Sequence, residues 1–386
     1  MTKYSSNISI PARFYSLDVI RGIAAFAVVI YHYPVLFIKP IQRGMPASDS
    51  HVFLESFSAI KMPFYNLLYI IYKSGDLAVD LFFGLSGFIF FWLFADNIKN
   101  NVLGVKEFFI HRFSRLYPLH LITLLWILTF QFFSSWNSIW FDFFNNNNIG
   151  NFILTLLFSS AWGIGNWRVF NTPVWSVSVE VILYAIFYIF CRNFKITNTA
   201  IVFLTIIGLA LNYKTNHQIG SGIFSFFLSG VTYNLYKNVI QSGKAKVALS
   251  ILIPAVLTLL LILISSVYLE WGILNRTPLL WRYTFLPAVL LFQAIILLLA
   301  LAETIWGPLG NKIYILGDIS YSVYLIHFPL QVMLLVLFGL FGIHQEIFYY
   351  RSAFIIFLFL LFIISTFSHY LFERKIQSSI RRRWLM

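Results

Sequence analysis

Cysteine and charged side chains are both scarce in this chain of 386 residues. Its single cysteine, Cys191, excludes an intramolecular disulfide framework and a cysteine-based metal cluster. Only 11% of the residues are charged, whereas 59% are hydrophobic. Because soluble globular domains carry far more charge, this composition predicts a protein that crosses a membrane several times.

Negatively charged residues are about half as common as positively charged ones: there are 14 acidic residues against 27 lysines and arginines, and the formal net charge is +13. A basic excess of this size can indicate nucleic-acid binding. Here, however, most of the lysines and arginines lie in short segments between apolar runs and at the C-terminus, not along one amphipathic face. Their distribution is typical of membrane topology, so we expect no nucleic-acid partner.

Ten apolar runs are long enough to cross about 30 Å of hydrocarbon. They lie at about 16–36, 70–94, 113–133, 174–190, 198–213, 219–236, 247–269, 283–302, 313–338 and 352–372. The sequence therefore predicts an all-α integral membrane protein with about ten transmembrane helices. The apolar segment 150–163 is shorter and is predicted to be interfacial or re-entrant; if it crossed, the spans would number eleven and the C-terminus would change sides.

The basic residues also predict the orientation of the chain. With ten spans and the N-terminus inside, most lysines and arginines fall in cytoplasmic segments, which favours two cytoplasmic termini and a basic cytoplasmic tail at 373–386. The first apolar run contains Arg21 and is followed by no small-residue cleavage site, so a removable signal peptide is not expected. We expect residues 1–386 to form one transmembrane domain.

Residues 134–173 form a predicted external connection that is rich in asparagine and tryptophan, including Asn145 to Asn148, Trp162 and Trp167. An ordinary polar loop with interfacial aromatic residues would explain this composition. A sugar-facing surface would explain it too, since tryptophan faces stack on pyranose rings and asparagine amides bind hydroxyl groups. Both interpretations stay open at this point.

Three ionisable residues share the first apolar run. Arg21 and His32 are eleven positions apart, which is about three helical turns, so both project from nearly the same face at a separation of roughly 16 Å. Asp18 lies one turn before Arg21. A structural explanation is an Asp18–Arg21 pair with a packing histidine, but ionisable groups inside a span indicate function, and a neutral imidazole can act as general base on an alcohol.

Two arginines one turn apart precede the third span. Arg112 and Arg115 lie in a segment predicted to be cytoplasmic, where two guanidinium groups could clamp a phosphate. Positive-inside anchoring would explain the same pair without any ligand.

Three further stretches carry polar residues inside predicted spans. Asp80 and Ser86 lie in the second span beside Gly84 and Gly87, which suit either a ligand or a close helix contact. Trp175 and Glu180 begin the fourth span, where Glu180 needs a partner and could orient His32, hold a substrate hydroxyl or form a structural ion pair. His327 precedes a proline in the ninth span and could equally be a core histidine.

These five stretches, in this order, resemble the acyltransferase-3 family of integral membrane enzymes. The matching residues are Leu17-Asp18, Arg21-Gly22, Ala24-Ala25 and His32; Phe82-Phe83 and Leu85-Ser86-Gly87-Phe88; Arg112, Arg115 and Pro118; Trp175-Ser176, Ser178 and Glu180; and Tyr321-Ser322, Tyr324-Leu325 and His327. Arginine followed by histidine after ten intervening residues is the most specific element.

The resemblance implies a membrane O-acyltransferase of the bacterial surface-polysaccharide O-acetylase type. It would move an acetyl or other short acyl group from cytoplasmic acyl-CoA to a hydroxyl of a cell-surface glycan, such as lipopolysaccharide O-antigen, or of a lipid-linked sugar. Acyl-CoA would be a donor substrate, with no tightly bound cofactor and no metal. The acceptor glycan and membrane lipids would be the other partners, and the cytoplasmic (inner) membrane the location.

The resemblance also assigns roles to residues. His32, Arg21 and Asp18 would be catalytic, with His32 as general base. Arg112, Arg115 and Ser86 would bind the acyl-CoA, and Asp80, Trp175, Glu180 and His327 would bind the acceptor. Some relatives carry an additional span and an SGNH-type domain after the transmembrane part, whereas this chain stops at Met386, so we expect it to act alone or to pass its product to a separate protein.

Two other functions fit the same charged residues. A multi-span sugar or ion transporter could use the intramembrane stripe as a substrate or proton pathway, although no inverted repeat is evident. The second alternative is a protein that only binds other proteins in a polysaccharide assembly complex. Neither would transfer an acyl group.

Overall fold

The computed structural model describes residues 10–40, 61–214, 217–268 and 278–385. Within these ranges the secondary structure is helical and no β-strand occurs, which confirms the predicted all-α membrane protein. The beginning of the predicted domain 1–386, the last residue of the run 247–269 and the last residue of the tail 373–386 lie outside the described residues.

The chain forms fifteen described α-helices, numbered here in chain order. They are α1 (Tyr15–His32), α2 (Tyr65–Ser74), α3 (Ala78–Leu93), α4 (Ala95–Lys99), α5 (Val105–Trp136), α6 (Ile149–Leu156), α7 (Val174–Asn193), α8 (Asn198–Lys214), α9 (His217–Gln241), α10 (Ala245–Tyr268), α11 (Pro278–Trp306), α12 (Ile315–Asp318), α13 (Ser320–Phe341), α14 (Arg351–Phe367) and α15 (Arg374–Leu385). A π-helical segment, Ser368–Glu373, joins α14 to α15.

Eight described stretches are long and apolar enough to cross a membrane, judged by length and composition. They are Tyr15–Phe37, Tyr65–Leu93, Val105–Trp136, Val174–Asn193, Ala245–Ser265, Ala288–Trp306, Ser320–Phe341 and Arg351–Leu385. The other two predicted spans correspond to α8 and α9. Helix α8 has 17 residues, about 25 Å, and α9 is longer but carries a buried polar seam. Length and composition therefore support eight spans, and ten stays a prediction.

The predicted interfacial segment 150–163 contains only the eight-residue helix α6. A helix of that length is about 12 Å long, so it does not reach across the hydrocarbon. The chain then leaves the helix at Leu157, which adopts a non-helical cap conformation.

The chain folds as two compact units. Unit 1 comprises Met1–Ala24, Lys73–Leu103 and Ala185–Asp318, and unit 2 comprises Ala25–Tyr72, Gly104–Tyr184 and Ile319–Met386. Helix α1 contributes residues 15–24 to unit 1 and residues 25–32 to unit 2, and α7 is divided in the same way after Tyr184.

In unit 1, helix α9 packs against α3, α8 and α11. Fully buried aromatic side chains fill the space between them, among them Phe88, Phe91, Phe226 and Phe227. Gly87 lies directly on the backbone of α9, because a Cβ there would collide with the carbonyl group of Phe226. The small residues of α3 therefore serve close helix packing.

In unit 2, helix α13 packs against α5 and α14, and α15 packs against α5. One apolar cluster joins α5, α13 and the connection between α5 and α7. Its buried members include Ile127, Phe141, Phe170, Val332 and Leu335. Unit 2 is therefore held together by side chains that are distant in the sequence.

The asparagine run in this connection is used mostly to fold the connection itself. Asn145 accepts a hydrogen bond from Trp140 (2.7 Å), and Asn147 accepts one from the backbone N–H of Phe170 (2.7 Å). Asn148 caps α6 by accepting from the backbone N–H of Asn151 (2.9 Å). An ordinary polar loop, the first of the two interpretations of this composition, therefore explains these three amides.

Candidate active site

Helix α1 is continuous from Tyr15 to His32, so it carries all three ionisable residues of the predicted catalytic stripe. Asp18 and Arg21 lie in its unit 1 part, and His32 is its last residue, in unit 2. The two parts differ in how their charged or titratable side chains are bonded.

Asp18 is held by two guanidinium groups of unit 1. Its carboxylate lies 2.9 Å from Arg21 and 2.6 Å from Arg13, and Arg13 reaches Asp318 at 2.7 Å. Arg21 also donates to the backbone carbonyl of Gly317 at 2.9 Å. Asp18 therefore fixes the position of Arg21, and its own oxygens are engaged in ion pairs.

Two glycines allow this close arrangement. A Cβ at Gly22 would lie 2.5 Å from the backbone carbonyl of Leu316, and one at Gly317 would lie 2.5 Å from Asp18. Without these glycines the backbone around 316–317 could not approach α1 closely enough for Arg21 to bond to Gly317.

The start of α1 is fixed by a buried carboxylate that sequence reasoning did not single out. Glu303, on α11, is 2% exposed and accepts from the backbone N–H groups of Tyr15 and Ser16, both at 2.8 Å, and from the Ser16 hydroxyl. An anion at a helix N-terminus satisfies backbone donors and complements the helix dipole. A carboxylate inside an apolar helix was the available signal for Glu303.

Arg13 lies just before the first span. Partial burial acts to lower its pKa, but the hydrogen bonds and charges of Asp18 and Asp318 outweigh burial and raise the pKa above its usual value. Arg13 therefore stays charged at physiological pH and keeps bridging these two carboxylates.

His32 is bonded quite differently, because its partner is a second histidine. Its Nδ1 lies 3.1 Å from Nε2 of His327, and the two rings are nearly parallel, with an interplanar angle of 14°. His327 is fully buried on α13, and its Nδ1 lies 2.7 Å from the backbone carbonyl of Tyr324. His32 is half-buried.

The hydrogen bonds assign the protons on both rings. The carbonyl of Tyr324 can only accept, so Nδ1 of His327 carries the proton and its Nε2, in the neutral ring, is an acceptor. Nδ1 of His32 must then donate to that acceptor, which leaves Nε2 of His32 unprotonated. Among the described residues no carboxylate bonds to either ring, and a buried imidazolium would need one. His32 therefore presents a basic nitrogen.

Neighbouring groups hold this pair of rings in place. Gln331 donates to the backbone carbonyl of His32 at 3.0 Å. The Tyr324 hydroxyl is bonded to Ser176 at 2.7 Å and to the carbonyl of Pro173 at 3.0 Å, which fixes the backbone that orients His327. Sequence reasoning missed Gln331, although a polar residue in an apolar helix was a usable signal.

Arg112 and Arg115 lie near the start of α5, with Arg112 half-buried and Arg115 exposed. The Arg112 guanidinium lies over the ring of Tyr184, 6.0 Å from its centroid. Glu180 accepts from the Tyr184 hydroxyl at 2.6 Å, and its charge acts on Arg112. The structure thus places Glu180 with the arginines, whereas the bond partner of the His32 ring is His327.

Asp80 and Ser86 both lie on α3 in unit 1. Asp80 is buried and accepts from Ser225 at 3.3 Å. The neighbouring Gln293 accepts from Ser229 and Thr232 and donates to the backbone of α9, so this polar seam joins α9 to α11. Ser86 is half-buried. Their predicted ligand contacts stay predictions.

Trp175 lies in the first turn of α7, half-buried, with its ring edge-on to Trp167 at 6.1 Å between centroids. This aromatic pair is in unit 2 with His32. In the described part of the chain, no group of three or more His, Cys, Asp or Glu is placed to hold a metal ion.

A family model for the acyltransferase domain matches residues 14–373 of the chain. This range includes every predicted site residue, from Asp18 to His327. No solved structure matches the chain significantly.

Two curated relatives share shorter regions. Acyltransferase MdmB of Streptomyces mycarofaciens is 31% identical over 125 residues, which is 31% of this chain and 29% of that protein. Protein 2 in picA locus of Rhizobium radiobacter is 31% identical over 114 residues, 30% of this chain and 44% of that protein. The matches thus span less than half of either relative. The family match, in contrast, extends over nearly the whole chain, which therefore belongs to the acyltransferase-3 family of membrane acyltransferases.

Proposed function

We propose that this protein transfers an acetyl or other short acyl group from cytoplasmic acyl-CoA to a hydroxyl of a cell-surface glycan or lipid-linked sugar. His32 is the general base. The observation that carries the proposal is the hydrogen-bonded series from the Tyr324 carbonyl through His327 to His32, which leaves Nε2 of His32 with a free lone pair.

The chemistry needs one proton acceptor placed at an alcohol. Nε2 of His32 removes the proton of the acceptor hydroxyl as its oxygen attacks the thioester carbonyl carbon. The new C–O bond forms, the C–S bond breaks, and CoA leaves as a thiolate that recovers the proton from the imidazolium. During the step Nδ1–H of His32 continues to donate to His327, which steadies the positive charge.

The donor requires a polar entrance. CoA is polyanionic and cannot enter hydrocarbon, so its phosphates stay at the membrane surface while the pantetheine arm extends inward. Arg112 and Arg115 supply guanidinium groups one helical turn apart at the start of α5. Such forks bind phosphate in a bidentate manner. On the predicted topology this end of α5 is cytoplasmic, where acyl-CoA is found.

Aromatic side chains support the acceptor side of the proposal. Trp175 and Trp167 offer aromatic surface in the unit that contains His32, and aromatic faces suit sugar rings. A multi-span protein of this family placed in the cytoplasmic membrane could meet acyl-CoA inside and a glycan or lipid-linked sugar outside. Membership of an acyltransferase family favours this function over a sugar or ion transporter.

Acyl transfer by the purified protein tests the proposal. Protein in lipid nanodiscs is incubated with radiolabelled acetyl-CoA and lipid-linked or surface glycan, for the parent, His32→Gln and His344→Gln. His344 is an exposed histidine of unit 2 and serves as the matched control. Label should enter the glycan with the parent and with His344→Gln, and fall about 10²- to 10⁴-fold with His32→Gln.

Two results would contradict the proposal. Equal labelling by His32→Gln and the parent would remove His32 from the mechanism. Failure of the folded parent to transfer label from any short acyl-CoA, together with uptake of labelled sugar into proteoliposomes, would favour the transporter.

A further inference from the structure

We propose that Arg381, on the tail helix α15, is the third guanidinium of an anion-binding site with Arg112 and Arg115. Its ligand is a phosphate group of the acyl-CoA donor, an identity that rests on the function proposed above. The family match ends at residue 373, so Arg381 belongs to the part of the chain that follows the matched domain.

Arg381 is anchored beside the two arginines. Its Nε donates to the hydroxyl of Ser114 at 3.2 Å, and its Nη2 donates to the backbone carbonyl of His111 at 3.4 Å. Ser114 and His111 belong to the same turns of α5 as Arg112 and Arg115. All of these residues lie in unit 2, so α15 and the start of α5 meet at one end of this unit.

Arg381 differs from the other basic residues of α15. Arg374, Lys375, Arg382 and Arg383 are exposed, whereas Arg381 is half-buried against α5. The π-helical segment before α15 changes the register of the helix, and its Glu373 is bonded to Ser322 at 2.6 Å and Ser368 at 2.7 Å. The start of the tail is therefore held in place, and Arg381 lies against α5 while its basic neighbours are exposed.

The charges of the three arginines act on one another. Arg381 and Arg115 both act on Arg112, and Arg115 acts on Arg381. Among the described residues neither Arg115 nor Arg381 forms an ion pair with a carboxylate. Like charges gathered in this way repel, and an anion that bridges them would remove the repulsion.

The nearby carboxylates already have other bonds. Glu107 pairs with His111 at 3.8 Å, and Glu180 accepts from Tyr184. The charge of Glu180 reaches Arg112 and that of Glu373 reaches Arg115, so these carboxylates offset part of the positive charge. The exposed basic residues of α15, which packs against α5, leave positive charge in excess at this end of unit 2.

Arg381 also keeps donor capacity for a ligand. Its bonds to Ser114 and His111 use Nε and Nη2, and Nη1 makes no hydrogen bond to the described residues. CoA carries a diphosphate and a ribose phosphate, which are groups that arginine forks bind by charge-assisted hydrogen bonds. Three guanidinium groups match the several negative charges of CoA better than they match a ligand with a single carboxylate.

Binding of CoA to the full protein in phosphatidylcholine nanodiscs tests the proposal. The Kd for CoA and the KM for acetyl-CoA should both rise about tenfold in Arg381→Gln, because a charge-assisted bond is lost, with kcat unchanged. Arg382→Gln, which removes an exposed neighbouring charge, should change both values less than about twofold. Arg381→Lys should fall between, since it keeps the charge and loses the fork.

Ser114→Ala separates ligand binding from anchoring of the tail. It removes a bond partner of Arg381 and keeps every charge, so it should leave the Kd near the parent value. A Kd for Arg381→Gln equal to that of Arg382→Gln would overturn the proposal. So would a Ser114→Ala variant that reproduces the full loss, because Arg381 would then act only by holding α15.

Further binding measurements identify the anion and separate failure of this proposal from failure of the proposed function. Inorganic pyrophosphate should bind to the parent and more weakly to Arg381→Gln; if it does so while CoA does not bind, the anion site stands and the donor identity fails. If the parent binds neither, the site itself is refuted. Phosphatidylglycerol in the discs should leave the CoA Kd unchanged; a rise that Arg381→Gln abolishes would assign the site to lipid headgroups and overturn the proposal.

Discussion

The two parts of helix α1 both place ionisable side chains among apolar residues, yet they bond them in opposite ways. In the unit 1 part, Asp18 and Arg21 are joined to each other and to Arg13 and Gly317. In the unit 2 part, His32 has one ring nitrogen engaged by His327 and the other unprotonated. Burial of an ionisable group alone does not separate a structural role from a chemical one, but the state of its remaining hydrogen-bonding capacity does.

The same contrast applies within unit 2 at the start of α5. Glu180 is satisfied by the Tyr184 hydroxyl, whereas Arg115 and Arg381 have no carboxylate at ion-pair distance in the described part of the chain. We therefore expect substitutions at satisfied groups to lower stability, and substitutions at groups with remaining capacity to lower activity or ligand affinity.

The largest effect after loss of His32 itself is expected at His327. His327→Leu removes the acceptor for Nδ1–H of His32, and acyl transfer should fall about 10- to 100-fold. His327→Gln can still place an acceptor oxygen near the former Nε2, so it should recover most of the activity that His327→Leu loses. The measurement is kcat/KM as a function of pH. A role in packing alone would leave the shape of the pH profile unchanged in both variants.

Arg112→Ala should mainly weaken donor binding. The KM for acyl-CoA should rise about tenfold while kcat changes little, because a charge-assisted bond to a remote phosphate is lost. Arg192→Ala, at the last turn of α7, is a control that also removes a basic residue near a helix end. An Arg112→Ala variant with an unchanged KM would show that this arginine only anchors α5.

Glu303→Gln should destabilise the start of α1 and leave kcat unchanged. The buried carboxylate accepts three hydrogen bonds from Tyr15 and Ser16, and replacing the anion should cost about 1–3 kcal/mol of stability. The measurement is thermal unfolding in nanodiscs, with kcat of the folded fraction expected at the parent value. A stable variant with a lowered kcat would place Glu303 in the mechanism instead.

The smallest effect is expected in the connection between α5 and α7. Asn148→Ala removes the cap of α6 and should lower stability by about 1 kcal/mol, with activity unchanged. Thermal unfolding and sugar-dependent kinetics distinguish the outcomes. A raised KM for the acceptor glycan, with unchanged stability, would revive the sugar-facing interpretation of the asparagine run.

Local features of this fold could be predicted from the sequence. The apolar runs predicted the helices, and Asp18, Arg21 and His32 could be placed on one of them because an α-helix has fixed spacing. The short run at 150–163 was recognisable from its length alone. Ten predicted spans and the eight supported by length and composition differ partly because α9 carries buried serine and threonine residues and a contact with Gln293 beside its packed phenylalanines.

The Asp18–Arg21 pair could be predicted from its spacing within one helix, but the long-range partners of the site residues could not. Glu303, Gly317 and His327 lie about three hundred positions from α1 in the sequence, and no periodicity connects them to it. Glu180 has the right chemistry to orient His32, but tertiary packing places it with Arg112. Arg381 bonds to α5 from a helix that follows a π-helical segment, and the sequence does not predict that segment.

The proton positions on His32 and His327 test the central claim most directly. Histidine labelled with ¹⁵N at both ring nitrogens is incorporated into the protein, and the two residues are assigned by the signals lost in His32→Gln and His327→Gln. At neutral pH both rings should be neutral, with the proton on Nδ1 and an unprotonated Nε2. A His32 that carries its proton on Nε2 would contradict the account, because no basic nitrogen would then face the acceptor.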